Sequence, residues 1–393
     1  MFRLSRFMEA LRDAGPVPPA RRAAGPVVIW NLIRRCNLNC RHCYATSADT
    51  DFHGELDTAE ALRVLEQLRE ARVPALILSG GEPLLRPDLY RIAARAREMG
   101  FHLSLSSNGT LLDADHATRL AEAGFDYVGV SLDGLPATHD RFRRSDGAFA
   151  RALMGLHTAR AAGLRVGVRM TLTDENAAQL PDVVALTERQ GIDKFYLSHF
   201  NYAGRARRHR ADDARHARTR TALDWLFAHV WQRAQDGHAG DFVTGNNDAD
   251  GVYLLQWVTQ RFPHRAGEMR RRLEQWGGNA TGVGVANIDN LGNVHPDTMW
   301  WQVTLGNVRE QAFGEIWASR ADPLMAGLAS RPRPLEGRCA ACAHRAICNG
   351  NTRARAFALT GNPWAEDPGC YLSDEEILPG AAAEAGAKAG AGT

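Results

Sequence analysis

The stretch "CNLNCRHCY" places Cys36, Cys40 and Cys43 within eight positions. Thiolates at this density are ligands for soft metals. A closed zinc site takes four protein ligands, so zinc here needs an Asp or His as the fourth. A [4Fe–4S] cubane is normally held by four thiolates, and a loop that supplies three leaves one iron open to a substrate or cofactor. The other cysteines form a second group, Cys339-x2-Cys342-x5-Cys348-x21-Cys370. Four thiolates close a cluster completely, which suits electron transfer or substrate anchoring, and they also satisfy tetrahedral zinc. All seven cysteines fall into these two groups. With no signal-type apolar core at the N-terminus, this usage fits a reducing, cytoplasmic compartment and metal binding, not disulfides.

Such groups need elements to position them. From 27 to 200 the chain alternates short apolar runs with helical patterns: "VVIWNLI" (27–33), "ALILS" (75–79), "FHLSLS" (101–106), "DYVGVS" (126–131), "LRVGVRMT" (164–171) and "KFYLS" (194–198). Between them lie amphipathic segments such as "TAEALRVLEQLREA" (58–71). Near-continuous apolar strands alternating with helices predict βαβ units and a parallel sheet buried on both faces. The fold class is α/β; six repeats suit a partial (βα)6 barrel, and an open doubly wound sheet is the alternative.

In a parallel barrel, ligands gather at the C-terminal strand ends. The cysteine triplet follows the first run, "SGGEP" with Gly80, Gly81 and Glu82 the second, and Ser107 and Asn108 the third. Ser131 and Asp133 end the fourth, Arg169 lies near the end of the fifth, and His199 follows the sixth. Singly, each has a plainer reading. Gly80–Gly81 and Asn108–Gly109 make turns, Asp133 caps a helix, Arg169 pairs with a carboxylate, and His199 is a satisfied structural histidine. Their joint position on one rim argues for one site.

The boundaries expected are an N-terminal amphipathic helix with a Pro-rich linker (1–26), the barrel (27–200), a helical connecting segment (201–279), an iron–sulfur domain (280–378) and a disordered low-complexity tail (379–393). The first helix docks on the body of the protein in preference to a membrane surface. Between 280 and 310 the pattern predicts a hairpin turning at Asn290–Gly292. Seven arginines crowd the span from Arg205 to Arg220, and a solvated helix face accounts for most of them. A net charge of +2 over 393 residues makes no case for nucleic acid as partner. No run of about 18 apolar residues supports a membrane span.

With these residues in view, the chain resembles the radical SAM superfamily over about 27–200. The hallmark Cys-x3-Cys-x2-Cys has an aromatic residue before its last cysteine, a place taken here by His42. The resemblance implies an open iron chelated by S-adenosylmethionine, whose reductive cleavage gives a 5′-deoxyadenosyl radical. It implies that Gly80, Gly81 and Glu82 receive the methionine amino group, that Ser107 and Asn108 face the ribose, and that Ser131, Asp133 and Arg169 make polar contacts to ribose and carboxylate. The C-terminal cysteine spacing is similar to the SPASM/Twitch extension of these enzymes. Asp297 in "NVHPD" stands where larger SPASM domains place a cysteine, which implies one auxiliary cluster, hence two [4Fe–4S] clusters in all.

The opening "MFRLSRFMEAL", "GPVVIWNLIRRCNLNCRHCY", "LILSGGEPLLRPDLY" and "YLSHFNYAGRA" extend a likeness to the heme d1 biosynthetic branch over nearly the whole chain. That branch implies an oxidoreductase acting on a tetrapyrrole, didecarboxysiroheme, whose propionates are replaced by oxo groups. Such a substrate offers carboxylates to Arg205 and Arg207 and an iron or carboxylate to His199. An electron donor such as flavodoxin or ferredoxin is implied as partner. The alternatives are a siroheme-route heme synthase, a peptide-modifying SPASM enzyme, and a non-enzymatic iron–sulfur sensor or carrier, which leaves "SGGEP", Asn108 and Asp133 without a role.

Overall fold

The computed structural model describes residues 1–13, 15, 24–192, 194–238 and 240–378. The disorder expected for 379–393 and most of the expected Pro-rich linker lie outside these residues. The strands are β1 (Val27–Asn31), β2 (Ala75–Ser79), β3 (His102–Ser107), β4 (Tyr127–Ser131), β5 (Val166–Leu172), β6 (Lys194–His199), β7 (Asp241–Gly245), β8 (Val285–Ile288), β9 (Asn293–His295) and β10 (Gly306–Asn307). The described chain separates into two compact units, one built from 22–213 with 280–328, the other from 1–21, 214–279 and 329 onward.

In the first unit the strand order is β10-β9-β8-β1-β2-β3-β4-β5-β6. β1 to β6 are parallel neighbours in sequence order. A doubly wound sheet reverses its strand order at a switch point; from β1 to β6 this one does not, so the partial-barrel reading holds. The apolar runs bury one face completely, with Val28, Trp30, Leu76, Leu78, Leu103, Val128, Val130, Val168 and Leu197 fully buried. Alternate residues such as Ile29, Ile77 and Tyr196 are half-buried; the expected burial on both faces is complete on one face only. The crossover helices follow their sequence signals. Thr58–Glu70 starts at a capping box between Asp57 and Glu60 and buries Ala61, Val64, Leu65 and Leu68.

The expected hairpin is present, with β8 antiparallel to β9, but not in the expected domain. β8 pairs in parallel with β1, so the hairpin extends the barrel sheet and covers an edge that would otherwise expose unpaired backbone groups. The single domain expected at 280–378 is therefore divided, 280–328 going with the sheet and the rest with the unit that bears Cys339, Cys342, Cys348 and Cys370. The connecting segment expected at 201–279 is likewise shared, its first residues to 213 belonging with the sheet.

In the second unit the helix Leu4–Asp13 buries Leu4, Met8 and Leu11 and packs on the helix His216–Gln235. Phe2 and Thr244 of β7 exchange two backbone hydrogen bonds of 2.8 Å. The N-terminal helix thus docks on the protein, as its stripe predicts. Among the described residues no helix is long and apolar enough to cross a membrane.

Candidate functional site

The cysteine loop leaves the C-terminal end of β1. Cys36, Leu38 and Cys40 form one buried cluster with Cys43 packed against it. Burial, then the Glu82 carboxylate, push the Cys36 thiol up to about 12; burial raises Cys40 as well, against the pull of Arg143. Each sulfur nevertheless receives an N–H donor: Leu38 N–H to Cys36 Sγ at 3.4 Å, Ser47 N–H to Cys43 Sγ at 3.4 Å, and Arg143 Nη1 to Cys40 Sγ at 3.5 Å. Donors aimed at thiols that burial holds protonated suit thiolates bound to a cation. This donor set fits an iron–sulfur cluster.

The next two strand ends are joined to this loop. At Gly81 a Cβ would lie 2.2 Å from the Arg35 carbonyl oxygen, so only glycine lets the turn lie against the backbone leading into Cys36. Gly81 N–H donates to Ile33 O and Glu82 N–H to Arg35 O. The Glu82 side chain is buried and accepts from Ser107 Oγ (2.8 Å), Asn108 N–H (2.8 Å) and Leu84 N–H (3.2 Å). Burial pushes its carboxyl up to about 7 against those donors. Asn108 Nδ2 donates to Asn37 Oδ1 at 2.9 Å and lies 3.8 Å from Cys36 Sγ. Glu82 and Asn108 therefore brace β2, β3 and the cysteine loop as one body. On the other side Asn287 of β8 donates to Asn31 Oδ1 (2.7 Å), and Asn31 donates to the hydroxyl of Tyr44, the residue after Cys43 (2.9 Å).

At the fourth and fifth strands, Asp133 is fully buried. It pairs with Arg143 and accepts Thr171 N–H at 2.7 Å. Burial works to raise its pKa, but the Arg143 guanidinium, together with His42, His139 and the Thr171 N–H, holds the carboxyl below its ordinary value. Arg143 thus spans Asp133 and Cys40, and sequence reasoning missed it. Its signal was available as a basic residue ending the helix Pro136–Arg143 that follows the Asp133 strand end. Arg169 stands opposite Ser131 in register, crosses over Gly129 and donates to Ser106 Oγ at 2.5 Å. The expected ion pair for Arg169 is replaced by this hydroxyl contact.

Arg205 has a different place from the carboxylate clamp that the sequence suggests. Its backbone N–H donates to Cys43 O (2.9 Å), Nε to Cys40 O (2.9 Å) and Nη1 to Ser47 O (2.5 Å). Gly204 precedes it at φ +57°, with room only for hydrogen beside the Cys43 and Tyr44 carbonyls. Arg205 is therefore a clasp on the cysteine loop. Arg207 is exposed, and His199 is buried at the end of β6. His42 stacks on Phe142 at 4.4 Å, and its Nδ1 is buried without a partner.

In the second unit Cys339, Cys342, Cys348 and Cys370 line one cavity, together with Arg338 and Arg345. Burial raises Cys348 well above its ordinary value and Cys370 to about 11. The loop after Cys348 is unusual: Asn349, Gly350 and Asn351 all have positive φ. Asn351 pins it by accepting Asp248 N–H (2.6 Å) and donating to Asn247 (2.5 Å). Among the described residues no three His, Cys, Asp or Glu side chains converge on a single metal ion. A cubane does not ask for that, because each of its thiolates holds a different iron. Asp297 belongs to the first unit, buried and accepting from Thr281 Oγ1 and from Met299 N–H at 2.7 Å.

A family model described as the radical SAM superfamily matches residues 30–187. The pre-heme d1 synthase of Dinoroseobacter shibae is 54% identical over 378 residues, covering 96% of this chain and 93% of that protein. The Fe-coproporphyrin III synthase of Methanosarcina barkeri is 42% identical over 356 residues, covering 90% and 89%. Among solved structures, native anSMEcpe with bound AdoMet superposes with a TM-score of 0.68 at 17% identity, covering 89% of this chain and 95% of that one.

Two outcomes follow from the buried charges. Arg143→Met leaves the Asp133 carboxylate buried without a counter-charge, which should cost about 3–5 kcal/mol in urea unfolding of the metal-free protein at pH 7. A loss below about 1 kcal/mol would show that Asp133 does not depend on Arg143. The Glu82 carboxyl is raised from 4.5 to about 7, so its stabilising contribution is complete below pH 4.5 and is lost as pH rises through 7. Relative to Glu82→Gln, the wild type should lose stability across that window by at most about 1.4 kcal/mol per pH unit. A flat difference between the two proteins would contradict the assignment.

Proposed function

We propose, for a chain that belongs to the radical SAM superfamily, that it is the S-adenosylmethionine-dependent enzyme producing pre-heme d1 from didecarboxysiroheme by replacing propionate side chains with oxo groups. The full-length likeness to the D. shibae pre-heme d1 synthase carries this reading. A [4Fe–4S] cluster held by Cys36, Cys40 and Cys43 would supply the single electron that cleaves S-adenosylmethionine to the 5′-deoxyadenosyl radical.

The protein's own part is positioning. Leu38 N–H, Ser47 N–H and Arg143 stabilise the three thiolates, and Arg205 fixes the loop that carries them. The Gly80–Gly81 turn receives the methionine amino group. Ser131 and Arg169 offer hydroxyl and guanidinium groups to ribose and carboxylate, while Ser107, Asn108, Asp133 and His42 serve the cofactor through the framework around it. Glu82 acts in the same indirect way, because its oxygens are already engaged by Ser107, Asn108 and Leu84. A radical attacks an unactivated propionate C–H only when that carbon is held close, so rigid strand ends matter more here than any acid or base.

The four C-terminal cysteines hold a single auxiliary [4Fe–4S] cluster; their shared cavity supports this. Of the substrate's polar groups, a carboxylate meets Arg207, and the iron or a further carboxylate meets His199. The electron comes from a reduced flavodoxin or ferredoxin, and a cytoplasmic location suits such chemistry.

Anaerobic turnover with didecarboxysiroheme, S-adenosylmethionine and dithionite should give 5′-deoxyadenosine coupled to loss of propionate-derived mass by mass spectrometry. Conversion of iron coproporphyrin to heme in its place would move the reading to heme synthase. After anaerobic reconstitution, iron and sulfide should each number about eight per chain, from two cubanes. Replacing Cys36, Cys40 and Cys43 by Ala should leave about four of each. Zinc in the C-terminal site would refute the auxiliary cluster.

A further inference from the structure

We propose that the arginine-rich segment Gly204–Asp212 is the surface on which an acidic, low-potential one-electron carrier protein docks to reduce the cluster at Cys36, Cys40 and Cys43. The inference rests on the functional reading above and adds to it the carrier's place of attachment. Cys36 and Cys40 are each only 7% exposed, so a carrier must approach across whatever covers the loop. This segment covers it, and is fixed to it at both ends. At one end Arg205 bonds the Cys40, Cys43 and Ser47 carbonyls. At the other, Asp212 pairs with Arg41, inside the cysteine loop, at 2.9 Å.

Between these anchors the chain forms 3-10 turns on either side of a kink at His209. At a rise of about 2 Å per residue, Arg208 and Arg210 lie roughly 6–10 Å along the segment from Arg205. Both are exposed. The segment carries four arginines against one acidic residue, Asp212, and that one is already paired. The field facing solvent here is positive, which favours an acidic partner and accelerates its encounter. The Arg205 N–H to Cys43 carbonyl contact gives a short bonded route from this surface to a cluster ligand. In the step itself the carrier loses one electron and the cluster gains it, with no atom transferred.

The variant to test is Arg208→Glu with Arg210→Glu, on the reconstituted full-length protein. 5′-Deoxyadenosine formation is measured with dithionite and, separately, with limiting amounts of an acidic flavodoxin reduced to its hydroquinone. At low salt the KM for flavodoxin should rise by about tenfold, and the difference should vanish in about 0.5 M salt, where surface charges are screened. The rate with dithionite should be unchanged, and Arg208→Lys with Arg210→Lys should behave as wild type. An unchanged flavodoxin KM at low salt would overturn the proposal. So would a loss shared by both reductants, or a rise confined to the KM for the tetrapyrrole, which would mark a substrate-anion site. A wild-type protein that forms no 5′-deoxyadenosine with dithionite would instead refute the underlying functional reading.

Discussion

Three thiolates cannot share a buried loop unless something cationic holds them and donors surround them. The loop after β1 is organised by this constraint. Burial, with the Glu82 carboxylate behind it, holds Cys36 protonated far above neutral pH, while each sulfur has an N–H donor directed at it. These preferences oppose each other in the bare protein and agree once metal occupies the loop. Arg143 links the constraint to the sheet, because the guanidinium that reaches Cys40 is itself held by Asp133 at the end of β4. Arg205 links it to the outside through the loop's carbonyls.

The sheet is arranged to make that loop rigid. Sequential parallel strands bring five further C-terminal ends to the same rim, and Glu82 with Asn108 joins the first three into one hydrogen-bonded body. β8 braces the far side through Asn287, Asn31 and Tyr44. A reaction that depends on where one carbon sits relative to another requires such bracing more than it requires a titrating side chain.

Much of this was legible in the sequence because its causes are local. The apolar runs at 75–79 and 194–198 match β2 and β6 closely, since buried parallel strands leave an unambiguous apolar pattern. The cysteine triplet and the glycines after β2 declare their chemistry by spacing. What sequence could not give was partner choice across the fold. Glu82 reads as a cofactor contact, yet its oxygens are taken by the strand beside it. Arg205 reads as an anion clamp, yet the turn at Gly204 directs it to carbonyls. Arg143 lies 10 residues from Asp133 and 103 from Cys40, and no periodicity links all three. The β8–β9 hairpin was legible as a hairpin, but its pairing with β1 depends on an edge more than 250 residues earlier.

Three protein thiolates on a four-iron cluster would leave one iron free for S-adenosylmethionine. Iron-57 Mössbauer spectroscopy of the reconstituted protein, recorded with and without S-adenosylmethionine, tests it most directly. Addition should change the spectrum of a single iron site, and the change should be lost when Cys36, Cys40 and Cys43 are replaced. Spectra in which every iron is unaltered by S-adenosylmethionine would contradict it.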